Sequence, residues 1–352
     1  MCRPRDQNGT MPTDANPPEA GLLARACAGD TSAFEELVRP QCRRLHVHCY
    51  RMLGSPQDAD DAVQETLLAA WRGIASFEGR SALGTWLYQI STRVCLRLIA
   101  QRPQRLVSPD HASALTTTAD LGQRVDGPVW IEPLPDAEWL ADGWQEEPAS
   151  ALQRRQSVAL AFIAALQHLP GTQRAVLLLR DVLEYPAAEV AGMLGTTTAS
   201  VNSALQRAQK TVKDRMPGVS QAIELQAMPP ARLDALLRDL VDAWERRDVR
   251  ALVSLLSEDA RFTMPPLPGW FDGRDAVAKF ILERMFATPW RLRPLRANGQ
   301  PGFACYMKHP GADTFTLGAV NVIAFRADRI AGIHAFLDPA VHRRFGLPME
   351  IS

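Results

Sequence analysis

A helical pattern that begins after Ser55 and Pro56 brings several carboxylates and one amide together. The residues are Asp58, Asp60, Asp61, Gln64 and Glu65. Acids at such a position can pair with basic side chains of a partner protein, but acids also favour the start of any helix through its dipole. The residue types therefore indicate either an acidic docking surface or a helix start that is only capped and solvated.

A second group of side chains combines aromatic rings with arginines. It consists of Arg80, Trp86, Tyr88, Arg93 and Arg97. Rings supply faces on which unstacked bases can lie, and guanidinium groups neutralise phosphates, so this combination is typical of surfaces that bind a single nucleic-acid strand. Trp86 is equally typical of a core residue, because large aromatic side chains dominate protein cores.

Residues 171–213 follow the pattern of a helix-turn-helix, with three helices and two short breaks. Gly195 permits a left-handed turn after the second helix, and Thr197 can cap the third, Thr198–Arg215. The outward polar side chains of this third helix are Ser200, Asn202, Ser203, Gln206, Arg207 and Lys210. Such side chains read base edges or hold phosphates, so we favour DNA contact over an ordinary amphipathic surface helix.

The last third of the chain contains side chains that could line a pocket. They are Trp270, Trp290, Tyr306 and His334. No acid and base can be paired among their neighbours, so we predict no catalytic residue and no enzyme activity. His46, His48 and Cys49 form an isolated HxHC sequence, which is a weak metal signal. We expect no metal and no cofactor.

Charge is distributed unevenly although 39 basic residues balance 39 acidic ones. Residues 92–105 are basic, residues 116–150 are strongly acidic, and residues 152–216 are basic again. A chain of this kind can meet a polyanion at two places and avoid or imitate it between them. The apolar runs are too short to span a membrane, so a soluble, cytoplasmic protein is expected.

Composition and periodicity divide the chain into two all-α domains followed by an α+β domain. Within the first all-α domain, Ser32 and Glu35 predict a capping box. The expected segments are a disordered tail (1–19), a helical bundle (20–102), an acidic linker (103–149), the helix-turn-helix domain (150–216), a short linker (217–230) and the α+β domain (231–352). The acidic linker is either a solubilising tether or a mimic of nucleic acid.

Several motifs in this order resemble the extracytoplasmic-function sigma factors of the sigma-70 family. They are Gly29–Leu37, Asp58–Thr66 in the position of region 2.2, Phe77–Ile90 in that of region 2.3, and Leu169–Arg174 with the helix-turn-helix in that of region 4. The resemblance implies a subunit that binds RNA polymerase core and initiates transcription at promoter DNA. It also makes an anti-sigma factor or a small ligand a candidate partner.

Residue roles follow from the same resemblance. The acids after Ser55 would contact the polymerase, the aromatic and basic group between Arg80 and Arg97 would melt the minus-10 element, and the third helix of the helix-turn-helix would read the minus-35 element. A conventional dimeric activator is a weaker interpretation, because an activator needs no polymerase-binding or melting surface.

The last third resembles the SnoaL-like fold, a cone closed by a curved sheet. The resemblance rests on Leu255–Ala260, Met264–Pro266, Phe271–Arg274 and Asn298–Pro301. It implies a regulatory domain that acts on the preceding domains by physical contact. The alternative is a SnoaL-like enzyme, of the cyclase, isomerase or hydrolase type, fused to a DNA-binding module.

Overall fold

The computed structural model describes residues 17–79, 81–140, 148–216 and 218–352. The tail expected for residues 1–19 lies outside these residues as far as residue 16, and the chain is helical from Pro17. Within the described residues, three bodies are visible: a first bundle, a helix-turn-helix unit and a C-terminal domain.

The first bundle contains four helices: α1 (Pro17–Cys27), α2 (Thr31–Leu53), α3 (Pro56–Gly73) and α4 (Leu83–Gln101). The carboxylate of Asp30 caps α2, and the Ser32 hydroxyl donates to that carboxylate. The expected capping box is therefore wrong, because the cap lies two residues earlier. Gly54 ends α2 in the left-handed conformation, and Ser55 caps α3 as the sequence predicted.

The middle segment, residues 102–140, contains two helices of four residues, α5 (Ser108–His111) and α6 (Asp136–Trp139). It packs against the first bundle and against the C-terminal domain. The Glu132 amide donates to the Gly54 carbonyl of the first bundle at 3.0 Å. The Trp270 indole of the C-terminal domain donates to the Ala112 carbonyl at 2.8 Å. The described part of the segment therefore joins the two bodies by direct contact.

The helix-turn-helix unit contains α7 (Pro148–Val158), α8 (Leu160–Gln167), α9 (Gly171–Leu177), α10 (Ala187–Leu194) and α11 (Thr198–Arg215). A π-helical turn, Leu178–Val182, continues α9 and was not predicted. Gly195 adopts the left-handed conformation, with φ at 65°, and the Thr197 hydroxyl accepts from the Ser200 amide. Both features confirm the predicted break and the predicted start of α11.

The C-terminal domain packs helices on one face of a mixed seven-stranded sheet. Its helices are α12 (Gln221–Ala227), α13 (Pro230–Glu245), α14 (Val249–Leu255), α15 (Arg274–Phe280, continued by a π-helical turn, Ile281–Met285) and α16 (Pro339–Arg344). Its strands are β1 (Leu256–Thr263), β2 (Trp270–Asp272), β3 (Trp290–Ala297), β4 (Gln300–Met307), β5 (Phe315–Arg326), β6 (Arg329–Phe336) and β7 (Glu350–Ile351).

The strand order is β2-β1-β6-β5-β4-β3, with β7 paired to β5. Strands β1 and β6 run parallel, and the other pairs are antiparallel. Strand-like runs in the sequence predict strands at Arg291–Ala297, Gly302–Lys308, Thr314–Phe325 and Ile330–Leu337, which agree closely with β3 to β6. The apolar pattern that holds Leu255 and Leu256 predicts a helix. The chain instead enters β1 at Leu256, directly after the short helix α14.

The outer face of the sheet packs on the helical bodies. Ala297, Val322 and Phe336 belong to one buried cluster with Tyr50 of α2 and Ile163 of α8. The inner face forms a separate buried cluster with α13 to α15. Both faces of the sheet are therefore covered, and the C-terminal domain is docked on the first two bodies.

The hairpin between β3 and β4 enters this interface. Asn298 and Gly299 both have positive φ, 55° and 72°, which is typical of an Asn-Gly hairpin turn. The Asn298 amide nitrogen donates to the Tyr50 hydroxyl at 2.8 Å and to the Val158 carbonyl at 2.7 Å. Its amide oxygen accepts from the Leu134 amide at 2.9 Å. One buried side chain thus joins α2, the middle segment and α7.

We predict that Tyr50→Phe and Asn298→Gly each lower the free energy of unfolding, by about 1 and about 2 kcal/mol, because each leaves buried polar groups without a partner. Glycine keeps the positive φ and removes only the amide. The double variant should lose about 1 kcal/mol less than the sum, since both changes break the same hydrogen bond. Urea unfolding measures all of these free energies.

Tyr306→Phe is the matched control for this cycle. The Tyr306 hydroxyl donates to the Pro348 carbonyl within the C-terminal domain and does not contact Asn298. Its combination with Asn298→Gly should therefore be additive. Additive free energies for Tyr50→Phe and Asn298→Gly as well would show that the two side chains are not coupled.

Candidate nucleic-acid and partner interfaces

Helix α11 separates an apolar stripe from a polar face. Val201, Ala208 and Val212 are buried against the helix-turn-helix unit and the first bundle, whereas the predicted DNA-reading side chains are all exposed. Those side chains are Ser200, Asn202, Ser203, Gln206, Arg207 and Lys210. Amides and arginines of this kind can form paired hydrogen bonds with base edges. The geometry of α11 therefore suits insertion into a major groove.

Lys210 makes an ion pair on this polar face. Its ammonium group donates to the Asp214 carboxylate one turn later, at 2.7 Å. That hydrogen bond raises the pKa of Lys210. A permanently charged ammonium at this place can hold a phosphate once it leaves Asp214.

Asp58, the first of the predicted partner-binding acids, is not a surface acid. Its carboxylate accepts from Arg105 at 2.7 and 3.1 Å and also pairs with Arg102. The middle segment returns over the start of α3 and places Arg105, itself buried, on this carboxylate. The expectation that Asp58 faces a partner is therefore wrong for this conformation, because the arginines of the chain itself occupy it.

Asp60 is paired with an arginine of the C-terminal domain. The Arg344 guanidinium of α16 donates to the Asp60 carboxylate at 2.6 Å and to the Glu138 carboxylate at 2.5 Å. Burial alone would lower the pKa of Arg344, but the hydrogen bonds that it donates to these two carboxylates raise it. The His46 ring lies 3.0 Å from Asp60, and its burial lowers the pKa of the imidazole more than Asp60 raises it.

The remaining members of this group still reach solvent along α3. The Asp61 side chain is 47% exposed, and its nearest cation is Arg102 at 3.8 Å. Gln64 is exposed, and Glu65 pairs with Arg97 of α4. A partner that approached α3 would therefore meet Asp61 and Gln64 first.

The aromatic and basic group does not form one surface. Arg80 lies outside the described residues. Trp86 is half-buried, and its ring packs 5.0 Å from that of Phe77. Tyr88 is only 8% exposed, with its ring 6.0 Å from that of Tyr185 in the helix-turn-helix unit. Burial raises the pKa of Tyr88 to about 12.

In this conformation Tyr88 is not accessible to a nucleic-acid strand, because Tyr185 of the helix-turn-helix unit packs against its ring. Its stacking role stays a prediction. Arg93 also contacts the helix-turn-helix unit, because its guanidinium donates to the Met193 carbonyl of α10 at 3.2 Å. Arg97 is exposed but paired with Glu65. The part of α4 that was predicted to bind a nucleic-acid strand therefore lies at the contact between the first bundle and the helix-turn-helix unit.

The four predicted pocket residues do not meet in the C-terminal domain. Only Trp290 belongs to the inner cluster. Tyr306 packs on the outer side with Phe315, and His334 bonds the Thr263 hydroxyl at 3.0 Å on that same side. Trp270 donates to the middle segment. The expected pocket is therefore wrong, because neighbouring residues of a strand face opposite sides of the sheet.

The inner side of the sheet is filled by apolar side chains. They include Phe262, Phe271, Phe280, Phe303, Phe325 and Trp244. The thiol of Cys305 also lies in this cluster, and burial raises its pKa. These residues offer no acid and base for proton transfer.

The HxHC sequence has structural contacts. His48 is fully buried and bonds the Thr92 hydroxyl at 2.9 Å. Among the residues that the structure describes, no three His, Cys, Asp or Glu side chains are grouped as metal ligands. No helix of the described chain is long and apolar enough to cross a membrane.

Sequence reasoning missed the side chains that hold the bodies together. Asn298 had a signal, because an Asn-Gly pair between strand-like runs predicts a tight hairpin. Arg105 and Arg344 had none, since each lies in an ordinary polar stretch and finds its carboxylate far away in the sequence.

Comparison with known families matches three parts of the chain. The model described as sigma-70 region 2 covers residues 37–104, and that of sigma-70 region 4 covers residues 159–212. The SnoaL-like domain model covers residues 237–333. These matches lie on the first bundle, the helix-turn-helix unit and the C-terminal domain.

Comparison with individual proteins gives the same family. The ECF RNA polymerase sigma factor SigG of Mycobacterium tuberculosis is 41% identical over 330 residues, which are 91% of this chain and 84% of SigG. SigM of the same species is 33% identical over 54% of this chain and 81% of its own.

A solved structure agrees with the fold. The crystal structure of the M. tuberculosis extracytoplasmic function sigma factor SigJ has a TM-score of 0.57 at 22% identity and covers 87% of this chain and 97% of its own. The order of the three bodies, the exposed face of α11 and the identity to SigG over nearly the whole chain lead to one conclusion. This chain belongs to the ECF RNA polymerase sigma factors and carries a C-terminal SnoaL-like domain.

Proposed function

We propose that α11 reads the minus-35 element of a promoter and that the exposed acids of α3 bind RNA polymerase core. The polar face of α11 is the observation that carries this proposal. Its six predicted DNA-reading side chains are exposed, while its apolar stripe is buried. RNA polymerase is a cytoplasmic enzyme, so we also propose a cytoplasmic location for this protein.

We propose that the helix-turn-helix unit leaves α4 before the minus-10 element is melted. Tyr88 and Arg93 are the candidates for contact with the separated strand, and both now contact that unit. A base can stack on a ring only after the face of that ring is uncovered. Separation of the two helical bodies would uncover Tyr88 and release Arg93 from Met193.

We further propose that the C-terminal domain regulates the sigma domains by physical contact and not by catalysis. Arg344 neutralises Asp60, an acid that a basic polymerase side chain would otherwise meet. Binding of the polymerase then competes with docking of α16. The enzyme alternative has little support, since the inner side of the sheet is filled with aromatic and aliphatic side chains.

Reversal of the acids tests polymerase binding. Asp60→Lys combined with Asp61→Lys should abolish co-purification with core polymerase, because two attractive charges become repulsive. Ala69→Lys is the control, since Ala69 is an exposed residue of the same helix outside the acidic group. Unchanged co-purification of the double variant would show that α3 does not bind the polymerase through these acids.

Arg344→Ala tests the regulatory contact. Loss of the ion pair between Arg344 and Asp60 should tighten the binding of this protein to core polymerase by about two- to fivefold, since ion pairs at partly exposed positions contribute about 0.5–1 kcal/mol. Fluorescence anisotropy of labelled protein titrated with core measures the affinity. Arg343→Ala removes the same charge from the exposed neighbouring residue and should change nothing. Equal affinities for both variants would contradict competition between α16 and the polymerase.

Arg207→Ala tests promoter reading. If Arg207 contacts a base, the variant should bind minus-35 DNA more weakly by about 1–3 kcal/mol. Its affinity for unrelated DNA should fall by less. A uniform loss across sequences would assign Arg207 to phosphate contact. Lys213→Ala removes an exposed charge nearer the end of α11 and serves as control. Gel-shift titrations at fixed salt give the affinities, and equal binding by Arg207→Ala and the parent removes Arg207 from the interface.

A further inference from the structure

The first histidine of the HxHC sequence lies where the C-terminal domain meets the first bundle. The His46 side chain, on α2, is only 13% exposed. Three other elements face its ring: α3 with Asp60 and the Pro56 carbonyl, α6 with Glu138, and α16 with Arg344. We call the side chains of His46, Asp60, Glu138 and Arg344 the His46 cluster.

Arg344 is the contribution of the C-terminal domain to this cluster. Its guanidinium donates to Glu138 at 2.8 and 2.5 Å and to Asp60 at 2.6 and 3.3 Å. It also lies 3.3 Å from Nε2 of His46. A guanidinium has only donors, so a neutral imidazole in this place accepts at Nε2 and carries its own proton on Nδ1. The observed contact therefore fits a neutral His46.

A proton added to His46 would change this contact. An imidazolium carries a hydrogen on both ring nitrogens, so Nε2 could no longer accept from Arg344. Two cations would then lie 3.3 Å apart, and both would compete for the Asp60 carboxylate, which lies 3.0 Å from Nε2. The carboxylates of α3 and α6 attract the imidazolium whether α16 is docked or not. Arg344 repels it only when α16 is docked.

Burial of the ring acts in the same direction as this repulsion. Burial lowers the pKa of His46 below its usual value of 6.5, and Arg344 lowers it further, although Asp60 and Glu138 oppose both effects. Departure of α16 removes Arg344 and one of the side chains that cover the ring. A molecule with α16 undocked therefore binds a proton at His46 more tightly than the docked molecule does.

We propose that the His46 cluster is an acid-sensitive contact, in which α16 stays docked on α3 while His46 is neutral and is released when His46 takes up a proton. The state that binds the proton more tightly gains population as the pH falls. Docking of α16 is therefore strongest above the pKa of the undocked imidazole and weakens below it. Release would leave Asp60 without its arginine, and only the meaning of that change for polymerase rests on the proposed function.

A second histidine lies on α16 itself. His342 is 2% exposed, and its Nε2 lies 2.8 Å from the Phe336 carbonyl. Burial lowers the pKa of His342 as well, so an effect of pH on α16 would not by itself identify His46. The experiments must therefore follow the titration of His46 and compare variants at His46 and Arg344.

Nuclear magnetic resonance of the full chain with ¹³C-labelled histidine follows the titration of each imidazole, and loss of one signal in His46→Gln assigns His46. The pKa of His46 should lie below 6.5, and Arg344→Ala should raise it by about 0.5 or more, because a nearby cation and part of the cover are lost. Arg343→Ala removes an exposed arginine of the same helix and should leave that pKa unchanged. A pKa of His46 that Arg344→Ala leaves unchanged or lowers would overturn the proposal.

Hydrogen exchange of the α16 amides measures the release of that helix. After correction for the intrinsic effect of pH on exchange, their protection should fall by about two- to fourfold from pH 7.5 to pH 6.0, the range that one imidazole with an ordinary pKa allows. His46→Gln keeps an acceptor for Arg344 but cannot titrate, so its α16 should lose much less protection.

Equal pH dependence of α16 protection in the parent and in His46→Gln would assign the effect to another group, such as His342, and would overturn the proposal. Unchanged protection of the parent between the two pH values would do the same. Both measurements use neither polymerase nor DNA, so their failure is distinguishable from failure of the proposed promoter function.

Discussion

A single buried amide is hydrogen-bonded to three separate parts of this sigma factor. The Asn298 side chain satisfies a hydroxyl of α2, a backbone amide of the middle segment and a backbone carbonyl of α7. Buried backbone groups need a partner, and here the partner comes from the C-terminal domain. The docking of that domain, the path of the middle segment and the cover over α3 are therefore parts of one arrangement.

Features determined by local chemistry could be predicted from the sequence. The Ser55 cap, the Gly195 turn and the two faces of α11 depend on residues within one or two turns of helix, and all three were found where the sequence placed them. The same holds for β3 to β6, whose apolar runs end at turn residues. The exposed side chains of α11 could therefore be predicted without knowledge of the remaining fold.

Features that depend on distant contacts could not be predicted. Every residue of β4 except Met307 is buried, because helices cover one face of the sheet and the helical bodies cover the other. The alternation of buried and exposed residues that would assign Tyr306 to one side of the sheet is then absent. Asp58 and Tyr88 were expected at the surface, and in this conformation another segment of the chain covers each of them.

The ion pair between Arg344 and Asp60 joins residues 284 positions apart. Protein synthesis adds about 5–20 residues per second, so roughly 15–60 s separate the appearance of the acid from that of its arginine. The first bundle and α11 are complete well before α16 exists. If α3 binds the polymerase as proposed, a newly made chain passes through a period in which Asp60 is not yet paired with Arg344, whereas in a finished molecule the polymerase would compete with that ion pair.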